Sequence, residues 1–125
     1  MIERLDHLVL TVADIGRTVD FYQRVLGMRH ETFGQGRSAL VFGQQKFNLH
    51  QHGKEFEPKA KRPTPGALDL CLITQWSLGD VLKHLAEQGV AVEQGPIART
   101  GAIGPIESVY FRDPDDNLIE VSRYL

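Results

Sequence analysis

The chain holds a single cysteine, Cys71. That count excludes an intrachain disulfide and a zinc site built on several thiolates. Basic charge is not in excess either, with 14 lysines and arginines against 16 aspartates and glutamates. Nothing in that balance suggests nucleic acid as a partner. No apolar run approaches the roughly 18–20 residues that a membrane span needs. The opening Met-Ile-Glu-Arg-Leu-Asp-His lacks the basic-then-apolar layout of a secretory leader. These absences point to a soluble protein of the reducing cytoplasm, with no membrane partner. Cys71 lies in an apolar, strand-like run and is expected to be a buried structural thiol rather than a nucleophile. What remains is an ordinary globular composition, 125 residues with 42% hydrophobic, enough for one domain with its own core.

Taken in order, Leu5 to Val12 alternates as a strand, with Leu8, Leu10 and Val12 on one face and His7, Val9 and Thr11 on the other. Asp14 or Thr18 can cap a helix that carries Val19, Tyr22, Val25 and Leu26 and stops at Gly27. Met28–Phe33, Ser38–Phe42 and Lys46–Gln51 are expected as strands, separated by glycine-containing turns. Residues 53–66 are polar, proline-containing and aperiodic, a linker. The pattern then returns. Ala67–Thr74 is a strand, Ser77 caps a helix bearing Leu78, Val81, Leu82 and Leu85, and Gly89 ends it. Val90–Gln94, Ile106–Arg112 and Asn117–Tyr124 are the remaining strands, with Gly95 to Pro105 a glycine-rich loop.

The halves superpose at a constant offset: Gly27 and Gly89 are 62 residues apart (89 − 27), and so are His7 and Asp69 (69 − 7). An offset that holds through strand and helix indicates an internal repeat of two β-α-β-β-β units. The expected fold class is therefore α+β, with two tandem βαβββ modules forming a curved mixed sheet around a cleft. The single domain spans residues 1–125, as modules of about 4–52 and 67–125. In each module the continuously apolar strand face takes the helix. Strand parity then aims His7, Asn48, His50, Asp69 and Glu120 at the opposite face. Ser108 and Tyr110 share that direction on their own strand, and Arg99 stands in the neighbouring loop as a contact for a substrate anion.

Three segments carry a family resemblance: Leu5-Asp-His-Leu-Val-Leu10, Phe21-Tyr22 through Val25-Leu-Gly27, and Phe111-Arg-Asp-Pro-Asp-Asp-Asn-Leu-Ile-Glu120. The sequence resembles the vicinal oxygen chelate superfamily over essentially its whole length. That group includes glyoxalase I, bleomycin-resistance proteins, fosfomycin-resistance thiol transferases and extradiol dioxygenases. Phe47-Asn-Leu-His-Gln51 with Glu55-Phe-Glu-Pro-Lys59 looks most like bacterial glyoxalase-domain proteins. The resemblance implies a divalent metal, with His7 matching the first-strand ligand and Glu120 the last-strand glutamate. The chain departs from the glyoxalase pattern where Asn48 replaces a glutamate and Asp69 a second histidine.

His7, His50 and Glu120 would make a two-histidine, one-carboxylate set with positions open for substrate, and Asp69 would serve as a further ligand or as an orienting group. Zinc, nickel, manganese and iron all suit such donors. The leading expectation is a metal-dependent, glyoxalase-like lyase or isomerase acting on a small α-oxygenated substrate chelated through two oxygens, with Glu120 or Asp69 as base. Asn48, Arg99, Tyr110 and Ser108 are the expected substrate contacts. The alternatives are an iron(II) extradiol ring-cleaving dioxygenase, a non-catalytic binding protein of the bleomycin-resistance kind, and a thiol transferase. The resemblance also implies a homodimer.

Overall fold

The computed structural model describes residues Met1 to Leu125 and separates into two compact units, Met1–Ala67 and Leu68–Leu125. In the first, β1 (His7–Val12) leads to α1 (Ile15–Leu26), then β2 (Arg29–Phe33), β3 (Arg37–Phe42) and β4 (Gln45–Gln51). The second repeats this order with β5 (Asp69–Ile73), α2 (Leu78–Glu87), β6 (Gln94–Thr100), β7 (Pro105–Arg112) and β8 (Leu118–Tyr124). Each unit forms a four-stranded mixed sheet, ordered β1-β4-β3-β2 and β5-β8-β7-β6. In each, the first strand runs parallel to the last, while the other neighbours are antiparallel. The α+β class and the duplicated βαβββ module are both present.

Local chemistry explains the helices. Asp14 accepts a hydrogen bond from the Arg17 amide and opens α1, so Thr18 lies within the helix and is buried. Gly27, at φ 68°, closes it with its N–H on the carbonyls of Gln23 and Tyr22. Tyr22 is fully buried and meets Phe47 edge-on at 5.9 Å. Leu10, Val12, Val25, Leu40 and Leu49 complete that core. In the second unit Ser77 caps α2, and Val81 and Leu85 are buried together with Val109, Phe111, Ile119 and Val121. Each such side chain contributes about 1.5–3 kcal/mol on burial. The apolar strand faces belong to these cores, which leaves the candidate site residues on the faces away from the helices.

The Asp113–Asn117 turn joins β7 to β8 through side-chain hydrogen bonds. Asp113 Oδ1 accepts from the amides of Asp115 and Asn117, and Oδ2 accepts from Asn117 Nδ2 at 2.8 Å. Asn117 Oδ1 accepts the Leu68 amide at 2.8 Å, just before β5. Asp116 supplies the left-handed residue at φ 66°. The most distinctive stretch of the sequence is thus a structural knot that ties three strands.

Three expectations are corrected. Val90 to Glu93 precede the strand, and β6 occupies Gln94–Thr100, where a glycine-rich loop was expected. The Gly95-Pro96 pair hides this strand, because proline donates no ladder bond and alternation breaks at the bulge between Gln94 and Ile97. β6 lies at the sheet edge, where a missing donor is tolerated. Arg99 therefore stands on an edge strand rather than in a flexible loop. Cys71 is exposed instead of buried, because strand alternation puts it on the face opposite the leucines.

Candidate functional site

In the first unit, register fixes which candidates are neighbours. His7 pairs with Lys46, Val9 with Asn48 and Thr11 with His50. His7 and Asn48 are therefore diagonal neighbours on one face. His50 lies four residues beyond the partner of His7, about 13 Å along the strands at 3.3 Å per residue. The unit does not bring His7 and His50 together. This separates the two histidines that the expected three-ligand set would have used.

His7 Nδ1 lies 2.8 Å from Asp6 Oδ1. A carboxylate only accepts, so Nδ1 carries a proton, and in the neutral ring Nε2 then keeps its lone pair. That hydrogen bond is the main cause holding the Asp6 carboxyl below its usual range. Asn48 and His50 are both buried, and Asn48 Oδ1 and both ring nitrogens of His50 lack any hydrogen-bond partner. Burial first, and then the charge of Arg37, push the His50 imidazole below its ordinary 6.5, while Glu55 pulls the other way. Phe56 meets the His50 ring edge-on at 5.4 Å.

In the second unit, Glu120 pairs with Cys71 on one side and Tyr110 on the other. Ser108, fully buried, donates to Glu120 Oε2 at 2.6 Å. Ser122 Oγ is 3.2 Å from the same oxygen and 2.6 Å from Ser108 Oγ, and Cys71 Sγ is 3.1 Å from Ser122 Oγ. This network fixes the carboxylate of Glu120 through Oε2. Partial burial first, and the Glu120 charge after it, push the Cys71 thiol up, against the pull of its bond to Ser122. Arg99 Nε donates to the Tyr110 hydroxyl at 2.9 Å, and its guanidinium carbon lies 5.5 Å from the ring centre. Asp69, exposed, is diagonal to Glu120 just as His7 is to Asn48: Asp69 pairs with Leu118, two residues before Glu120. Asn48 thus holds in one unit the position that Glu120 holds in the other.

The second unit therefore gathers Arg99, Tyr110, Ser108, Glu120 and Asp69 on one face. The first gathers His7, Asn48 and His50, with His50 one step removed. Neither unit by itself brings together three or more His, Cys, Asp or Glu side chains in a metal-holding cluster. The donors fit a divalent ion in chemistry: an imidazole with its second nitrogen engaged by a carboxylate, and a carboxylate fixed through one oxygen.

The family model described as the glyoxalase/bleomycin resistance protein/dioxygenase superfamily matches residues 4–121. The chain belongs to this superfamily. Among its relatives, the glyoxalase domain-containing protein RDO1 of Mycosarcoma maydis is 59% identical over 123 residues, covering 98% of this chain and 69% of that protein. Virulence protein STM3117 of Salmonella typhimurium is 56% identical over 125 residues, covering 100% of this chain and 87% of that one. An integron cassette protein structure from the mobile metagenome of V. cholerae superposes with a TM-score of 0.98 at 60% identity, covering 100% of this chain and 98% of that one.

Asp6, Arg37 and Phe56 were missed by sequence reasoning. Asp6 adjoined a recognised histidine and could have been found by asking what fixes its tautomer. Arg37 begins β3 after a glycine turn, and Phe56 lies in an aperiodic segment, so periodicity carried no signal for either.

Proposed function

We propose that this superfamily member is a metal-dependent, glyoxalase-like lyase or isomerase acting on a small α-oxygenated substrate. The carrying observation is Glu120, whose Oε2 lies 2.6 Å from the Ser108 hydroxyl and 3.2 Å from that of Ser122, so that hydroxyl groups hold the carboxylate in place. Taken unit by unit, the side chain best suited to donate to a divalent ion would be His7 in the first and Glu120 in the second. When bound, such an ion supplies Lewis-acid polarisation of two adjacent substrate oxygens. The chain's own residues would do the rest. Asp6 orients His7, Ser108 and Ser122 orient Glu120, and Arg99 and Tyr110 offer an N–H and hydroxyl pair to substrate oxygens. Asp69, exposed and one step from Glu120, is the second carboxylate available to accept a proton.

The test combines metal analysis with turnover. Purified protein should retain or rebind one equivalent of zinc, nickel, manganese or iron, and His7→Ala and Glu120→Gln should each lower that occupancy. The loaded protein should isomerise an α-oxoaldehyde–thiol hemithioacetal. A second reading, ligand sequestration without chemistry, is favoured by the lack of a three-donor cluster within either unit. Failure to bind any of the four metals would decide for it.

A further inference from the structure

We propose that the first unit carries an anion-recognition subsite, formed by Arg37, His50 and Asn48, that takes a small carboxylate bearing a hydroxyl group. β3 pairs antiparallel with β4 so that Ser38 faces Leu49 and Ala39 faces Asn48. The next step along the same register sets Arg37 beside His50, and all three side chains share the face away from α1. Arg37 forms no ion pair; its guanidinium stands 4.8 Å from the Phe33 ring centre and 5.4 Å from that of Phe56. Two aromatic rings thus hold the cation in place without neutralising it. Lys46 lies 4.0 Å from the Phe33 ring centre and is likewise outside any ion pair, so a second positive charge faces the same way.

The nearby carboxylates are occupied elsewhere. Glu55 accepts the Gly53 amide at 3.0 Å and lies 3.4 Å from His52, and Glu31 pairs with Arg29. What is missing around Arg37 is an anion. What is missing around the buried pair beside it is equally specific. Asn48 Oδ1 lacks a donor, and His50 has one nitrogen to donate and one to accept, with neither engaged. Buried polar atoms without partners are uncommon and call for an occupant. A carboxylate answers the guanidinium fork and the imidazole N–H, and a neighbouring hydroxyl answers Asn48 Oδ1. Neither His7 nor Glu120 takes part, although Asn48 is the diagonal neighbour of His7 on the same face.

The test uses the full chain freed of metal by chelation, so that its outcome does not depend on the metal reading. Glycolate, acetate, glycolamide and inorganic phosphate are titrated while the ring nitrogens of His50 are followed by 15N NMR. Glycolate should shift them saturably, acetate should bind more weakly for want of the hydroxyl, and glycolamide should not bind. Arg37→Gln should weaken glycolate at least tenfold, and Arg37→Lys, which keeps charge but loses the fork, should fall between. Equal binding of glycolate and glycolamide, an unchanged affinity in Arg37→Gln, or a preference for phosphate would each overturn the proposal. So would the absence of any saturable shift, which would assign the unpaired atoms to ordered water.

Discussion

Ser108 and Glu120 sit across the β7–β8 ladder two residues out of register, and a 2.6 Å hydrogen bond joins them on the face opposite the core. The serine is fully buried, so it cannot exchange this partner for water. Ser108→Ala should cost about 1.5–3 kcal/mol, the range for hydrogen bonds to charged groups. Ser122→Ala, at 3.2 Å from the same oxygen, should cost less. If Glu120 is a metal donor, Ser108→Ala should also weaken metal affinity by about 10–100-fold. Urea unfolding and metal competition measure the two effects separately; an unchanged urea midpoint in Ser108→Ala would show the bond to be unimportant.

A second expectation concerns pH. His50 is held below its ordinary 6.5, by burial first and Arg37 second. Between the lowered folded value and the ordinary unfolded one, the unfolded chain binds more protons. Stability therefore falls as pH drops through that window and is flat above it. Asp6, Glu55 and Glu93 are also shifted down, but from 3.8, 4.5 and 4.5, so their contributions are lost only at lower pH. Melting temperature should be higher at pH 7.5 than at 5.5, and His50→Gln should flatten the difference. Identical slopes in the two proteins would assign the dependence to other groups.

The third expectation tests the edge strand. A Cβ on Gly95, whose φ is 113°, would run into the Ser108 carbonyl oxygen and lie 2.9 Å from Val109 Cα. Gly95→Ala should therefore cost more than about 2 kcal/mol through clash and backbone strain together. It should also loosen β6 from β7 and take Arg99 off Tyr110. Gly79, in α2, is the contrast: an added Cβ meets nothing closer than 3.9 Å, so Gly79→Ala should stabilise by up to about 1 kcal/mol. Urea midpoints decide both, and amide exchange of Ile97 to Thr100 reports on the β6 seam.

Much of the fold was legible because the signals were local. Asp14, Gly27 and Ser77 mark helix ends by chemistry any sequence displays, and strand alternation correctly put His7, Asp69 and Glu120 on the faces away from the helices. β6 was not legible, since its register is imposed by β7 around a Gly-Pro bulge and not by its own alternation. Cys71 was misjudged because the apolar run suggests burial on both sides, although alternation puts this residue opposite the leucines. Parity could put His7 and His50 on one face, but only the pairing of β1 with β4 shows how far apart along it they lie. The orphaned atoms of Asn48 and His50 depend on what fails to surround them, and a linear pattern carries no such information.

The hydrogen bond from the Leu68 amide to Asn117 spans 49 residues. Beside it, the parallel partner of β5 is the strand that follows Asn117, so the second unit opens with a strand that has no near neighbour in the chain. Helix α2 carries its own cap, whereas the partner of β5 lies beyond the Asp113–Asn117 turn. Closing a loop of that length costs entropy before any contact repays it, and such non-local pairing sets the pace at which topologies of this kind assemble. The turn that fixes the native register thus also stands at the far end of the loop that must close before β5 meets its partner.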